Sequence, residues 1–205
     1  MTKDARTDKQ LWELACSGEV AAFGLVFERH ANTVYNYCFR RTASWDIAED
    51  LVSAVFLEAW RRRHSIRLHT DSALPWLLGV AKNVSRNAAR SRRRYGRLTA
   101  TARSAIPDET DDVVHRLDDE HAMAAVRLEL SCLRRSDQEV IALCDWAGLT
   151  YSEAATALGI PVGTVRSRLS RAHQRLRARL GSREPSEEDE RTPYPRQCAR
   201  VEQER

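Results

Sequence analysis

Seven arginines and no acidic residue lie between Val162 and Arg183. A guanidinium offers a planar fork of donors that fits phosphate oxygens and the major-groove edge of guanine, so this stretch suits holding nucleic acid rather than making or breaking bonds. At about 100° per residue, Val165, Leu169, Ala172, Leu176 and Leu180 share one helix face. Arg166, Ser167, Ser170, Arg171 and Gln174 share the opposite face, with Arg168 and Arg175 on the flank. The open face can reach base edges and the flank can hold phosphates. A second set stands far upstream. Asn83, Arg86, Asn87 and Arg90 recur at i, i+3, i+4 and i+7, within a segment from Lys82 to Arg103 that has no acid. Asparagine can donate and accept at a base edge, and the arginines suit a sugar–phosphate backbone.

Elements must exist to position these side chains. Thr150 and Glu153 have the spacing of a capping box, which starts a short helix over 151–158. Gly159 can end that helix in the left-handed conformation, and Pro161 suits the first turn of the next. The result is a helix-turn-helix whose second helix enters the major groove. Upstream, the spacing predicts helices over 11–16, 21–41, 47–63 and 75–94, with Ser44, Trp45 and Asp46 as a break of N-cap character. The 64–74 stretch reads as an irregular loop. Helices over 121–133 and 136–146 precede the helix-turn-helix. Residues 95–120 read as a flexible linker, mostly acidic from Asp108 to Glu120. Residues 181–205 have no apolar periodicity and are expected to be a disordered tail. The whole is all-α: two small helical domains, 11–94 and 121–180, joined by the linker.

The 205 residues carry a net charge of +4, distributed as basic, acidic and basic blocks, which suggests two nucleic-acid surfaces. No apolar run is long enough to span a membrane, and the N-terminus has no signal-peptide core. Cys16, Cys38, Cys132, Cys144 and Cys198 are scattered without zinc-ligand spacing, so no metal site or cofactor is expected and reduced thiols in a cytoplasmic protein are the simplest account. A redox-sensing role is the alternative. His30, Glu49, Asp50 and His64 are the residues a nucleic-acid enzyme could use, but there is neither an HExxH pair nor a phosphate-cradling glycine loop. A conventional transcriptional regulator also fits a helix-turn-helix beside a helical domain.

Three segments in this order are more specific. DIAEDLVSAVFLEAW (46–60), PWLLGVAKNVSRNAARSRRR (75–94) and LRRSDQEVIALCDWAGLTYSEAATALGIPVGTVRSRLSRAHQRLR (133–177), with the spacing between them, resemble a group IV (extracytoplasmic-function, ECF) sigma factor of bacterial RNA polymerase. The resemblance implies a sigma-2 and a sigma-4 domain and a promoter-specificity subunit without catalysis of its own. Region 2.2 would dock on the β′ clamp helices through Asp46, Glu49, Asp50, Ser53, Phe56 and Trp60; the family usually has a glutamine and an acid where Ser53 and Ala54 stand. His69, Thr70, Asp71 and Ser72 match the loop that captures unpaired −10 bases, with Asn83 and Asn87 on bases and Arg86 and Arg90 on phosphates. An intradomain hydrogen bond is the competing role for Asn83. In region 4, Arg166, Ser167, Ser170 and Arg171 match positions that read the −35 element, while Thr164, Arg168 and Arg175 match backbone contacts. The family also leans on the β flap, is commonly held by an anti-sigma factor, and threads its linker toward the active-site channel. There the acidic stretch either mimics nucleic acid or is a solvated tether.

Overall fold

A computed structural model of the chain describes residues 4–96 and 111–181. Within them the elements are α1 (Asp8–Cys16), α2 (Val20–Thr42), α3 (Trp45–Arg62), α4 (Leu74–Gly96), α5 (Asp111–Leu130), α6 (Arg135–Ile141), α7 (Tyr151–Leu158) and α8 (Val162–Gly181). No strand occurs among the described residues. Most of the expected linker, and the tail beyond Gly181, lie outside them. Where the sequence places a helix from 121, α5 starts at Asp111.

The first four helices form a bundle around Leu11, Val26, Val34, Cys38, Leu51, Val55, Leu77, Leu78 and Ala81, all 4% exposed or less. Aromatic rings fill its upper layer. Phe23 meets Trp12, Phe56 and Trp60 with centroids 6.0, 6.4 and 5.2 Å apart, and Phe27 meets Phe56 edge-on at 4.7 Å. Thr7 and Gln10 form a capping box that begins α1 at Asp8, earlier than apolar periodicity alone shows. Ser44 occupies the N-cap of α3, but its side chain does not cap. The Glu120 carboxylate does so from α5, accepting from the Trp45 N–H at 2.7 Å.

The second group follows the sequence closely at its turn. The Thr150–Glu153 box is complete, and Gly159 ends α7 at φ 67° with its N–H on the Ala155 carbonyl at 2.8 Å. Val165, Leu169 and Ala172 are buried. After α6 the helix widens into a π turn over Ala142–Trp146, so the expected single helix over 136–146 changes pitch halfway.

These two groups share one core. α7 packs on α4, and there Gly79 permits a close approach: a Cβ at that position would stand 3.1 Å from the Ala157 carbonyl oxygen. Lys82 Nζ donates to the same carbonyl at 3.4 Å. Arg40 donates to the Trp146 carbonyl at 3.2 Å and Arg127 to the Thr42 carbonyl at 2.6 Å.

Candidate docking and nucleic-acid interfaces

Region 46–60 lies on α3. Asp46, Glu49, Asp50 and Ser53 are exposed, and at helical spacing they share one face with Leu57, which is 49% exposed. Leu57 is not among the residues that the region 2.2 resemblance names, although its spacing of i+4 from Ser53 and i+7 from Asp50 places it on this face. Phe56 is a correction: it is only 5% exposed, packed against Phe23 and Phe27, and so it supports α3 from inside instead of offering an outward contact. Trp60 is half-buried against Phe23, with the Arg63 guanidinium 3.7 Å above its ring.

This face is partly engaged by α5. Arg116 pairs with Glu49 at 3.1 Å and lies 5.6 Å above the Trp45 ring, and the Trp45 indole N–H donates to the Arg116 carbonyl at 3.1 Å. Trp45 is in turn stacked on Phe39 at 4.3 Å.

The 64–74 loop is anchored from an unexpected place. The Asp8 N–H donates to the Asp71 carbonyl at 3.0 Å, and the Ala73 N–H donates to Asp8 Oδ2 at 2.9 Å. Asp8 is 5% exposed and is paired with Arg29 at 2.9 Å and with His30. Burial opposes its charge, but the hydrogen bonds from His30, the Ala73 N–H and Arg29 win and hold its carboxyl at about 2. Inside the loop, Thr70 Oγ1 donates to the Ser72 carbonyl at 2.8 Å, and Ser72 Oγ accepts from the Leu74 N–H at 3.2 Å. These bonds leave His69, Thr70 and Asp71 exposed at the mouth of α4. Asp8, Arg29 and His30 gave no local signal, because their partners lie more than 20 residues away. His30, one of the residues considered for catalysis, is committed to this anchor.

Along α4, Asn83, Arg86, Asn87, Arg90 and Arg94 are exposed, while Leu77, Leu78, Ala81 and Ser85 are buried. The helix therefore offers an amide-and-guanidinium stripe that begins beside the loop. Asn83 is exposed on this stripe.

On α8, Arg166, Ser167, Ser170 and Arg171 are exposed over the buried Val165, Leu169 and Ala172. Arg171 Nε donates to the Ser167 carbonyl at 3.1 Å, and Ser167 Oγ donates to the Thr164 carbonyl at 3.1 Å. Arg166 sits 5.9 Å above the Tyr151 ring. Thr164 and Arg168 are half-buried on the flank. Arg175 is a second correction: it pairs at 2.9 Å with Asp137, which is 5% exposed, and so ties α6 to α8 rather than standing ready for a phosphate.

The cysteines divide by environment. Burial pushes the Cys38 thiol up to about 12 and the Cys144 thiol to about 11, which removes both as reactive thiolates at neutral pH. Cys132 is exposed, and Cys198 lies outside the described residues. No group of three or more His, Cys, Asp or Glu side chains suited to a metal ion, and no helix long and apolar enough to cross a membrane, occurs among the described residues.

Known proteins place this arrangement. Residues 26–95 match the family model for sigma-70 region 2, and residues 123–176 match that for sigma-70 region 4. The chain is 33% identical to the RNA polymerase sigma factor CarQ of Myxococcus xanthus over 172 residues, covering 82% of this chain and 94% of CarQ. It is 32% identical to the ECF sigma factor SigL of Mycobacterium tuberculosis over 167 residues, covering 81% and 93%. Among solved structures, CnrH in complex with the cytosolic domain of CnrY matches with a TM-score of 0.66 and 26% identity, covering 86% of this chain and 99% of that one. The sigma factor RpoE of Bartonella quintana, solved with the anti-sigma factor NepR, shares the fold at a TM-score of 0.56 and 22% identity. The helix-turn-helix, the amide-and-guanidinium stripe and these matches lead to one conclusion: the chain belongs to the ECF sigma factors of the sigma-70 family, the promoter-specificity subunits of bacterial RNA polymerase.

Proposed function

We propose that the three exposed faces divide the work of initiation, with no covalent chemistry by this chain. The α3 face of Asp46, Glu49, Asp50, Ser53 and Leu57 docks on the core polymerase at the β′ clamp helices. Four polar or acidic side chains around one exposed leucine suit a basic, partly apolar partner. The 69–72 loop and the Asn83/Asn87 edge of α4 receive unpaired −10 bases, and Arg86 and Arg90 hold the displaced backbone. The α8 face of Arg166, Ser167, Ser170 and Arg171 reads the −35 element, with Thr164 and Arg168 on the flanking phosphates and the β flap supporting this domain. The observation that carries the reading is the acid-free exposed stripe of α4, which starts beside a loop pinned by a buried carboxylate.

An anti-sigma factor is the regulatory partner we propose. The support is the sigma factor RpoE of Bartonella quintana, which has the same fold and was solved bound to NepR. The site of action is the bacterial cytoplasm, where the polymerase is. The direct test is in vitro transcription with core polymerase on a genomic library. Start sites that appear only when this protein is added support the reading. Sequence-specific DNA binding without core, and no added transcript with it, would indicate a conventional regulator.

A further inference from the structure

A cleft of about 830 Å³ opens where the two helical groups meet, and its walls are strongly cationic. Arg40 and Arg41 come from the end of α2, Arg86 and Arg92 from α4, Arg127 from α5 and Arg135 from α6, against the single acid Glu139. No ion pair joins any of the six arginines to a carboxylate among the described residues. Arg40 reaches the Trp146 carbonyl and lies 5.8 Å above that indole, and Arg127 reaches the Thr42 carbonyl, none of them an anion. Burial, and then the neighbouring charges of Arg41 and Arg92, lower the pKa of the Arg127 guanidinium. Ser85, 9% exposed, also lines the cleft, and its hydroxyl finds no partner of normal hydrogen-bond geometry. Six guanidinium groups against one carboxylate in a concave site make an anion-binding arrangement.

One candidate anion is tethered close by. α8 ends at Gly181, and its last turn is fastened to α5 by Arg179 and Glu129 at 2.8 Å. Glu129 directly precedes Leu130 and Ser131, which line the cleft. The chain therefore leaves α8 next to the cleft. Three residues later it carries Glu184, Glu187, Glu188, Asp189 and Glu190, five acids within seven residues and no base among them. Extended backbone spans roughly 3.3 Å per residue, so this segment can reach across the cleft. Tethering also keeps its local concentration in the millimolar range.

We propose that residues 184–190 dock in this arginine cleft and shield Arg86 and Arg92 from nucleic acid until polymerase or promoter DNA displaces them. The docking follows from charge and tether. The competition with DNA rests on the α4 assignment above.

The test uses the full chain. A photo-crosslinking amino acid at position 186 should yield intramolecular crosslinks to the 85–92 or 127–135 peptides, independent of protein concentration and suppressed above about 0.5 M salt, where screening is short-ranged. A second variant replaces the four glutamates by Gln and Asp189 by Asn. It should lose these crosslinks and bind a single-stranded oligonucleotide about three- to tenfold more tightly, without a change in melting temperature. Crosslinks only between molecules, or to surfaces outside the cleft, overturn the docking. Intact docking with unchanged oligonucleotide affinity overturns only the competition. The crosslinking result stands whatever transcription with core polymerase shows.

Discussion

Asp8 is the side chain that anchors the 64–74 loop. It accepts the Ala73 N–H just ahead of α4, donates its own N–H to the Asp71 carbonyl, and is paired with Arg29 and hydrogen-bonded to His30. Its folded-state pKa, about 2, lies below the ordinary carboxylate value near 4. A depressed carboxylate contributes stability that is complete above the unfolded pKa and is lost as pH falls through the folded one. The contribution is on the order of 2 kcal/mol and disappears between about pH 4 and 2. Asp8→Asn should therefore unfold more easily at neutral pH by about 2 kcal/mol, and its stability should depend less on pH across that window than the wild type's. Denaturant titrations at pH 7, 4 and 3 measure the difference; equal slopes in both proteins would remove Asp8 from this role. The arginines of α8 make a contrasting pair. Arg175→Ala leaves the buried Asp137 with only the Ser136 hydroxyl at 3.3 Å and should cost about 1–3 kcal/mol of stability. Arg171→Ala, at an exposed side chain, should leave stability within about 0.5 kcal/mol and weaken −35 binding by about 1–3 kcal/mol. Thermal melts and promoter-competition assays separate the two. The exposed face of α8 could be read from helical periodicity. The withdrawal of Arg175 could not, because Asp137 lies 38 residues away and only the packing of α6 brings it there.

Helix positions were legible wherever a local signal sets them. The Thr150 box, Gly159 and the apolar rows of α3, α4 and α8 are short-range features, and they gave these helices to within about two residues. The start of α3 is different, since Ser44 has the right identity and position but the cap comes from Glu120. The α4–α7 contact was invisible for the same reason. Nothing near Gly79 in sequence announces Ala157, and a glycine inside a helix ordinarily costs up to about 1 kcal/mol. Its place in the helix is explained by the neighbouring backbone. Gly79→Ala should accordingly favour α4 as an isolated helix while loosening α7, since the obstructing atom is a carbonyl oxygen that cannot rotate away. Amide exchange should accelerate over residues 151–158 and stay unchanged or slow over 76–82. Unaltered protection of α7 would mean that the two helices do not rest on each other in solution.

At the scale of the molecule, the faces assigned to polymerase and DNA are not equally free. The α8 face is open, whereas α5 lies across one end of α3, pairing Arg116 with Glu49 and capping Trp45 with Glu120. If Glu49 meets core polymerase as proposed, that contact competes with the Arg116 pair, and breaking the pair subtracts from the binding free energy. The pair is half-exposed on both sides, and such pairs contribute between 0 and about 1 kcal/mol. Arg116→Ala should thus strengthen core binding by no more than about fivefold, whereas Glu49→Ala removes a proposed contact and should weaken it. In the double variant Arg116 has nothing left to compete for, so its substitution should add no gain on the Glu49→Ala background. Fluorescence anisotropy with labelled protein and core polymerase supplies all four affinities. If Arg116→Ala weakens docking, then α5 is part of the polymerase-binding surface rather than a competitor for it.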